Sequence, residues 1–192
     1  MPITDGTISF TRMDQGTAEE YRYLEERFQP LFSDLVDNVF SMLERLKGDP
    51  IGFKIDRYQH SLQAATRAYR DGADEDTIVM TLLHDIGDVF APENHCELAV
   101  AVLRPYISDE NLWILKHHAI FQGYYYYHHI GRSRHERDRF RDHPLYQRAV
   151  DWCDKWDQTS FDPDYDTLPL EFFDPIVRRV FAKSKFRYEF GN

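Results

Sequence analysis

His84 and Asp85 stand side by side in LLHDIGD, directly after Ile78 to Leu83, a stretch apolar on nearly every side. A helix of that kind is buried, and two adjacent polar groups at its end are costly to desolvate unless something binds them. Hydrogen bonding to a helix terminus would satisfy one isolated pair, but further metal-ligating side chains fall on core-facing positions. His60 lies in RYQHSLQAATRAYRDGA and His95 begins HCELA. His117 and His118 have Trp113, Ile114 and Phe121 three to five residues away. Late in the chain, Tyr146, Ala149, Val150, Cys153 and Trp156 form an apolar stripe, and Asp157 falls on it, four residues after Cys153. Asp151, Asp154 and Lys155 fall on the opposite face, so Asp157 is the expected ligand and Asp154 the reserve. Four histidines and two aspartates form a hard-to-borderline donor set suited to iron, manganese or zinc. They are too many for one catalytic ion with an open position. Two ions sharing a carboxylate fit better, with Asp85 as the bridge.

Composition narrows the function classes. The net charge of -10 repels a phosphate backbone and argues against nucleic acid as a partner. Aromatic residues at 15% are too frequent for a disordered chain. Cys96 and Cys153 show no CxxC spacing, which argues against a disulfide scaffold or a cysteine-based zinc site and fits a reducing cytoplasm. The first residues do not resemble a signal peptide, and no apolar run reaches the roughly 20 residues of a membrane span.

The elements that must hold these residues all read as helices, and the class is all-α, one bundle-like domain over 1–192. A capping box at Thr17 and Glu20 opens a helix with Tyr21, Leu24, Phe28, Phe32, Leu35, Val39 and Leu43 on one face, ending near Gly48. A second helix spans about Asp56 to Asp71 and closes at Gly72; Asp74 caps the third. Others are expected over His95 to Leu103, from Ser108 or Asp109 towards Tyr127, over Pro144 to Trp156, and over Ile176 to Lys185. Asp162-Pro163 and Asp174-Pro175 read as turns.

The order His60, His84-Asp85, then a distant Asp157 resembles the HD-domain superfamily, an all-α fold named for that His-Asp pair. With His95 in HCELA and the histidines of KHHAIFQGYY, the set is similar to its mixed-valent di-iron oxygenases. That group includes myo-inositol oxygenase and the oxygenase that cleaves a hydroxylated aminoethylphosphonate. RYQHSLQAATRAYRDGA is similar to the first-ligand helix of the phosphonate enzyme, and WDQTS at 156–160 resembles the last-ligand motif of both. The similarity spans about residues 54–160, with an N-terminal helix and a C-terminal helical tail expected to pack on that core. The resemblance implies one iron on His60, His84, Asp85 and Asp157, and a second on Asp85, His95 and His117. His118 is the alternative, because adjacent histidines leave the register open by one. It further implies an Fe(II)/Fe(III) pair, substrate at one ion, dioxygen at the other, and cleavage of a C–C or C–P bond. The related hydrolases use manganese, zinc or magnesium to activate water against phosphorus.

The sequence departs from that pattern at its cations. Ala119 to Gln122 stand where the phosphonate enzyme has a Lys, Asp154 where it has an Arg, and Asp88 where many HD proteins have a Lys. An acid in place of a cation disfavours an anionic headgroup. Gln59 and Gln122 are candidates to orient a ligand or a substrate oxygen. Tyr124 and Tyr127 read mainly as packing; as pocket walls they would hold a cationic ammonium group, which Asp88 and Asp154 would suit. Arg132 belongs to a charge-alternating loop that reads as salt-bridged surface, or reaches a substrate anion. The expected activity is oxidative cleavage of a small hydroxylated molecule by two irons and dioxygen. The alternative is a metal-dependent phosphohydrolase acting on a nucleotide or small phosphate ester. A cytoplasmic monomer or homodimer, without membrane or nucleic-acid partners, is expected in either case.

Overall fold

Caps and apolar faces coincide along most of the chain, and helices form where they do. The computed structural model describes residue 3 and residues 5–185, and among these it contains helices and no strand. The chain falls into two compact units, one up to Val39 and one from Phe40 onward, where the sequence suggests a single domain.

In the first unit, α1 (Ala18–Ser33) starts at the expected capping box: Thr17 accepts from the Glu20 amide and Glu20 accepts from the Thr17 amide. The buried Glu20 carboxylate also accepts from the backbone N–H and hydroxyl of Ser9, both at 2.7 Å. Hydrogen bonds from the backbone of Thr17 and Ser9 pull its pKa from 4.5 to about 2. The stabilisation it supplies is therefore present above about pH 4.5 and is lost as pH falls from there to about 2. Protection of the Ser9 and Thr17 amides, taken relative to the unstructured-peptide exchange rate at each pH, should fall over that interval in the native chain, and Glu20→Gln should remove that pH-dependent change. The single long helix expected from Thr17 to Gly48 is interrupted. Pro30 removes an N–H within α1, Asp34 closes it, and α2 (Leu35–Glu44) follows as a separate helix.

The second unit carries the candidate ligands. Asp56 caps α3 (Arg57–Arg70) by accepting from the Gln59 amide at 2.8 Å, and Gly72 at φ 76 provides the left-handed exit. Ala64, Ala65 and Ala68 bring α3 close to α4 (Glu75–Leu83), which Asp74 caps and which is buried from Thr77 to Leu83. α5 (His95–Leu103) packs on α6 (Asp109–Tyr126), which Ser108 caps.

Two further helices differ in their bounds from those read in the sequence. The helix expected over Pro144 to Trp156 is α7 (Tyr146–Trp152) continued by a wider π turn, Cys153–Asp157, in which the Gln158 amide reaches the Cys153 carbonyl at 3.0 Å. Single π turns of this kind recur at functional sites. The last helix, α8 (Leu170–Phe181), begins before the expected Asp174-Pro175 turn and contains it. Its buried Phe173, Ile176, Val177 and Val180 pack towards α4, and that burial outweighs the one backbone bond Pro175 removes near the helix start. Among the described residues no helix is long and apolar enough to cross a membrane.

Candidate metal centre

α4 ends at Leu83, so His84 and Asp85 are delivered by its C-terminal end into the centre of the second unit. α3 brings His60, α5 brings His95 from its first position, α6 brings His118 and the π turn brings Asp157. His60, His84, His118 and Asp157 are at most 2% exposed and Asp85 is 4% exposed.

Asp85 lies between two pairs of histidines. Its Oδ2 is 3.6 Å from His60 Nε2 and 3.3 Å from His84 Nε2, and its Oδ1 is 3.7 Å from His95 Nε2 and 3.3 Å from His118 Nε2. Asp157 Oδ1 closes the first half, 3.3 Å from His60 Nε2 and 3.7 Å from His84 Nε2. Within each pair the imidazole nitrogens meet, His60 and His84 at 3.1 Å and His95 and His118 at 3.2 Å.

The donor set suits a cation. His60 Nδ1–H donates to the Ser160 carbonyl at 2.8 Å, His84 Nδ1–H to the Thr81 carbonyl at 2.8 Å and His118 Nδ1–H to the Leu115 carbonyl at 2.7 Å. A carbonyl only accepts, so these three rings carry their proton on Nδ1 and, when neutral, turn an Nε2 lone pair inward. His60 and His84 then present lone pair to lone pair, with two carboxylates beside them. A metal ion between them relieves this, as does a proton on one of the two rings. Two nitrogens about 2.1 Å from a common ion, at angles between octahedral and tetrahedral, lie about 3.0–3.4 Å apart. The observed separations fall within that interval. Backbone carbonyls that hold the outer nitrogen are the supports that metal-binding histidines use.

The electrostatics agree. Burial opposes charge on Asp85 and Asp157, yet the facing histidines outweigh it and hold both carboxyl groups below their ordinary range. Burial likewise opposes charge on His84 and His118, but Asp85 raises both, His118 the further. Gln122 Nε2–H donates to Asp157 Oδ1 at 2.8 Å and aims that carboxylate. Trp152 forms a wall, with its indole N–H on Thr81 Oγ1 at 2.9 Å and its ring edge-on to His84.

Several expected positions lie elsewhere. His117 is not in the cluster: its Nδ1–H donates to the Trp113 carbonyl, and its ring packs on Trp113 and Phe140. Neighbouring helix residues point about 100° apart, so only one of the two histidines can face inward, and it is His118. Gln59 is exposed and lines a separate surface cavity with Tyr58 and Leu62. Asp154 is exposed and accepts the Tyr125 hydroxyl at 2.9 Å. Tyr124 lies under the guanidinium groups of Arg134 and Arg137, and Tyr127 under that of Arg132, which also pairs with Glu136 at 2.9 Å. These contacts use the tyrosine faces that a substrate cation would need. Asp88 does border the site, 3.4 Å from His95 Nδ1. Burial and the nearby Asp85 raise its pKa.

Four contributions were not read from the sequence. Arg57 stands one helical turn before His60, its Nε 3.2 Å from Asp88 Oδ2 and its Nη1 3.6 Å from Asp85 Oδ2, so a cation is present after all. The i, i+3 spacing to His60 was its signal. Phe161 stacks on His60 with centroids 4.3 Å apart, and Phe53 stacks on Phe161. Cys96 Sγ approaches His95 Nε2 at 3.4 Å. Burial pushes its thiol up, but hydrogen bonds with His118 and His95 prevail and bring its pKa to about 6.

Gly87 is the fourth. A Cβ there would lie 2.6 Å from both Cα and O of His95, so only glycine lets the turn after His84-Asp85 touch the start of α5. Gly87→Ala should displace His95 and weaken metal binding at that half by about 10–100-fold. A metal titration of the variant, compared with wild type, checks this; unchanged affinity for both ions would refute it.

A search of curated proteins returns no significant match to this sequence. The HD domain family model matches residues 57–158, more than half of the chain, and takes in His60, His84, Asp85, His95, His118 and Asp157. HD domains form a superfamily of metal-dependent hydrolases and oxygenases. The buried His and Asp groups here could hold metal ions in keeping with it. With its all-helical fold and its His84-Asp85 pair at the centre of that match, the chain belongs to the HD-domain family.

Proposed function

We propose that the chain is an oxygenase that uses an Fe(II)/Fe(III) pair and dioxygen to cleave a C–C or C–P bond of a small hydroxylated substrate. The observation that carries the reading is Asp85, whose two oxygens are divided between two histidine pairs. Two imidazoles at each half suit iron better than magnesium, which takes oxygen donors. When bound, such a pair supplies one position for the substrate hydroxyl, one for dioxygen, and the redox change that the cleavage needs. The protein's own groups orient and shield. The carbonyls of Ser160, Thr81 and Leu115 fix three imidazoles, Gln122 aims Asp157, and the rings of Trp152 and Phe161 cover His84 and His60.

A metal-dependent phosphohydrolase is the second reading, and Arg57 favours it. Its guanidinium beside Asp85 and Asp88 supplies a cation for a phosphate at the edge of the centre. In both readings the substrate is a small molecule.

Anaerobic purification followed by metal analysis and electron paramagnetic resonance tests the proposal. The expected result is two irons per chain and a signal from a coupled Fe(II)/Fe(III) pair that reacts with dioxygen. Two zinc or manganese ions, together with hydrolysis of a generic phosphate ester, would assign the chain to the hydrolases instead.

A further inference from the structure

We propose that Cys96 is a thiolate ligand of the second metal position, beside Asp85, His95 and His118. The inference rests on the two-metal reading and deepens it. Cys96 Sγ lies 3.4 Å from His95 Nε2, the same nitrogen that meets His118 Nε2 at 3.2 Å and faces Asp85 Oδ1 at 3.7 Å. His95, Cys96 and His118 each offer a ligand atom, and those atoms all lie within 4.8 Å of one another; towards His118 the sulfur's approach is to Nδ1, at 3.6 Å. With a metal–sulfur distance of about 2.3 Å and a metal–nitrogen distance of about 2.1 Å, adjacent ligands at angles between octahedral and tetrahedral sit about 3.1–3.6 Å apart. The observed approach to His95 has that separation.

The backbone explains how adjacent residues converge. His95 and Cys96 are the first two residues of α5, and Gly87 packs its backbone directly against the Cα of His95. The start of the helix, where N–H groups are unpaired and negative charge is favoured, is thereby held at the centre.

A thiolate changes the chemistry of that half. Sulfur favours iron, zinc or cobalt over magnesium or manganese. It also makes the two halves unequal, with a His, His, carboxylate, thiolate set on one side and a His, His, two-carboxylate set on the other. Unequal halves give the two ions different redox potentials, as a mixed-valent pair requires.

The test uses the full chain, stripped by chelation and reconstituted with cobalt(II). Wild type should bind two cobalt ions and show an intense near-ultraviolet thiolate-to-cobalt charge-transfer band. Cys96→Ser, saturated with cobalt, should lose the band. Cys153→Ala should keep it, which separates Cys96 from Cys153, whose Sγ lies 3.6 Å from Asp157. Two bound cobalt ions without the band in wild type, or an unchanged band in Cys96→Ser, would overturn the assignment of Cys96 alone. Failure of wild type to bind cobalt would overturn the two-metal reading, and this inference with it.

Discussion

Asp85→Asn should leave fewer than one bound metal ion per chain and lower turnover at least ~100-fold, beyond what loss of a supporting partner costs. Among the described residues, Asp85 is the one carboxylate with an oxygen directed to each histidine pair. An amide keeps its shape but removes the charge and offers one weak acceptor in place of two anionic ones. Both halves therefore lose an anionic donor, and the bridge between the ions is broken. Metal analysis and turnover of the purified variant measure the effect, with far-ultraviolet circular dichroism to show that the helices persist. Retention of two ions by Asp85→Asn would refute the bridging role.

His118→Ala should release one of two ions and reduce turnover at least ~100-fold, while His117→Ala should keep both ions and change turnover less than ~3-fold. The two substitutions are chemically identical and one residue apart, so composition and helix propensity are the same in both. They differ in what the rings touch. His118 points Nε2 at Asp85 and His95, whereas His117 packs between Trp113 and Phe140. His117→Ala should instead cost about 1–2 kcal/mol of stability, seen as a Tm lower by about 3–6 °C. Metal content should therefore respond to His118 alone, while His117→Ala lowers the melting temperature with both ions still bound. If His117→Ala is the variant that releases an ion, the face of α6 has been assigned in reverse.

The site was legible where side-chain chemistry and local periodicity coincide. His84-Asp85 stood out because polar groups ended a helix apolar all round, and that burden on desolvation exists in any tertiary arrangement. Asp157 was separable from Asp154 because Cys153 and Ala149 mark a buried face, and the wider π turn still leaves Asp157 there. The histidines of α6 were not separable in this way. That helix has apolar residues on both sides, Trp113 with Phe121 and Ile114 with Leu115, so amphipathicity does not choose between adjacent positions. Arg57 and Cys96 do not stand out in the sequence for a related reason. An Arg at the start of a helix and a lone Cys are ordinary in sequence, and only the fold brings them to the cluster of buried His and Asp groups.

By itself, then, the sequence determined the all-helical class, the capped starts of α1 and α4, and the His and Asp donors of the centre. These follow from local rules, from capping, periodicity and the cost of burying unpaired polar groups. Only the tertiary structure decided which ring of His117-His118 faces the centre, that Asp85 divides its oxygens between two histidine pairs, that Gly87 admits the start of α5, and that a cation stands beside Asp88. Each of these depends on the distance between atoms on different helices. Local spacing within one helix does not encode such distances; the packing of α3, α4, α5 and α6 around one buried carboxylate sets them.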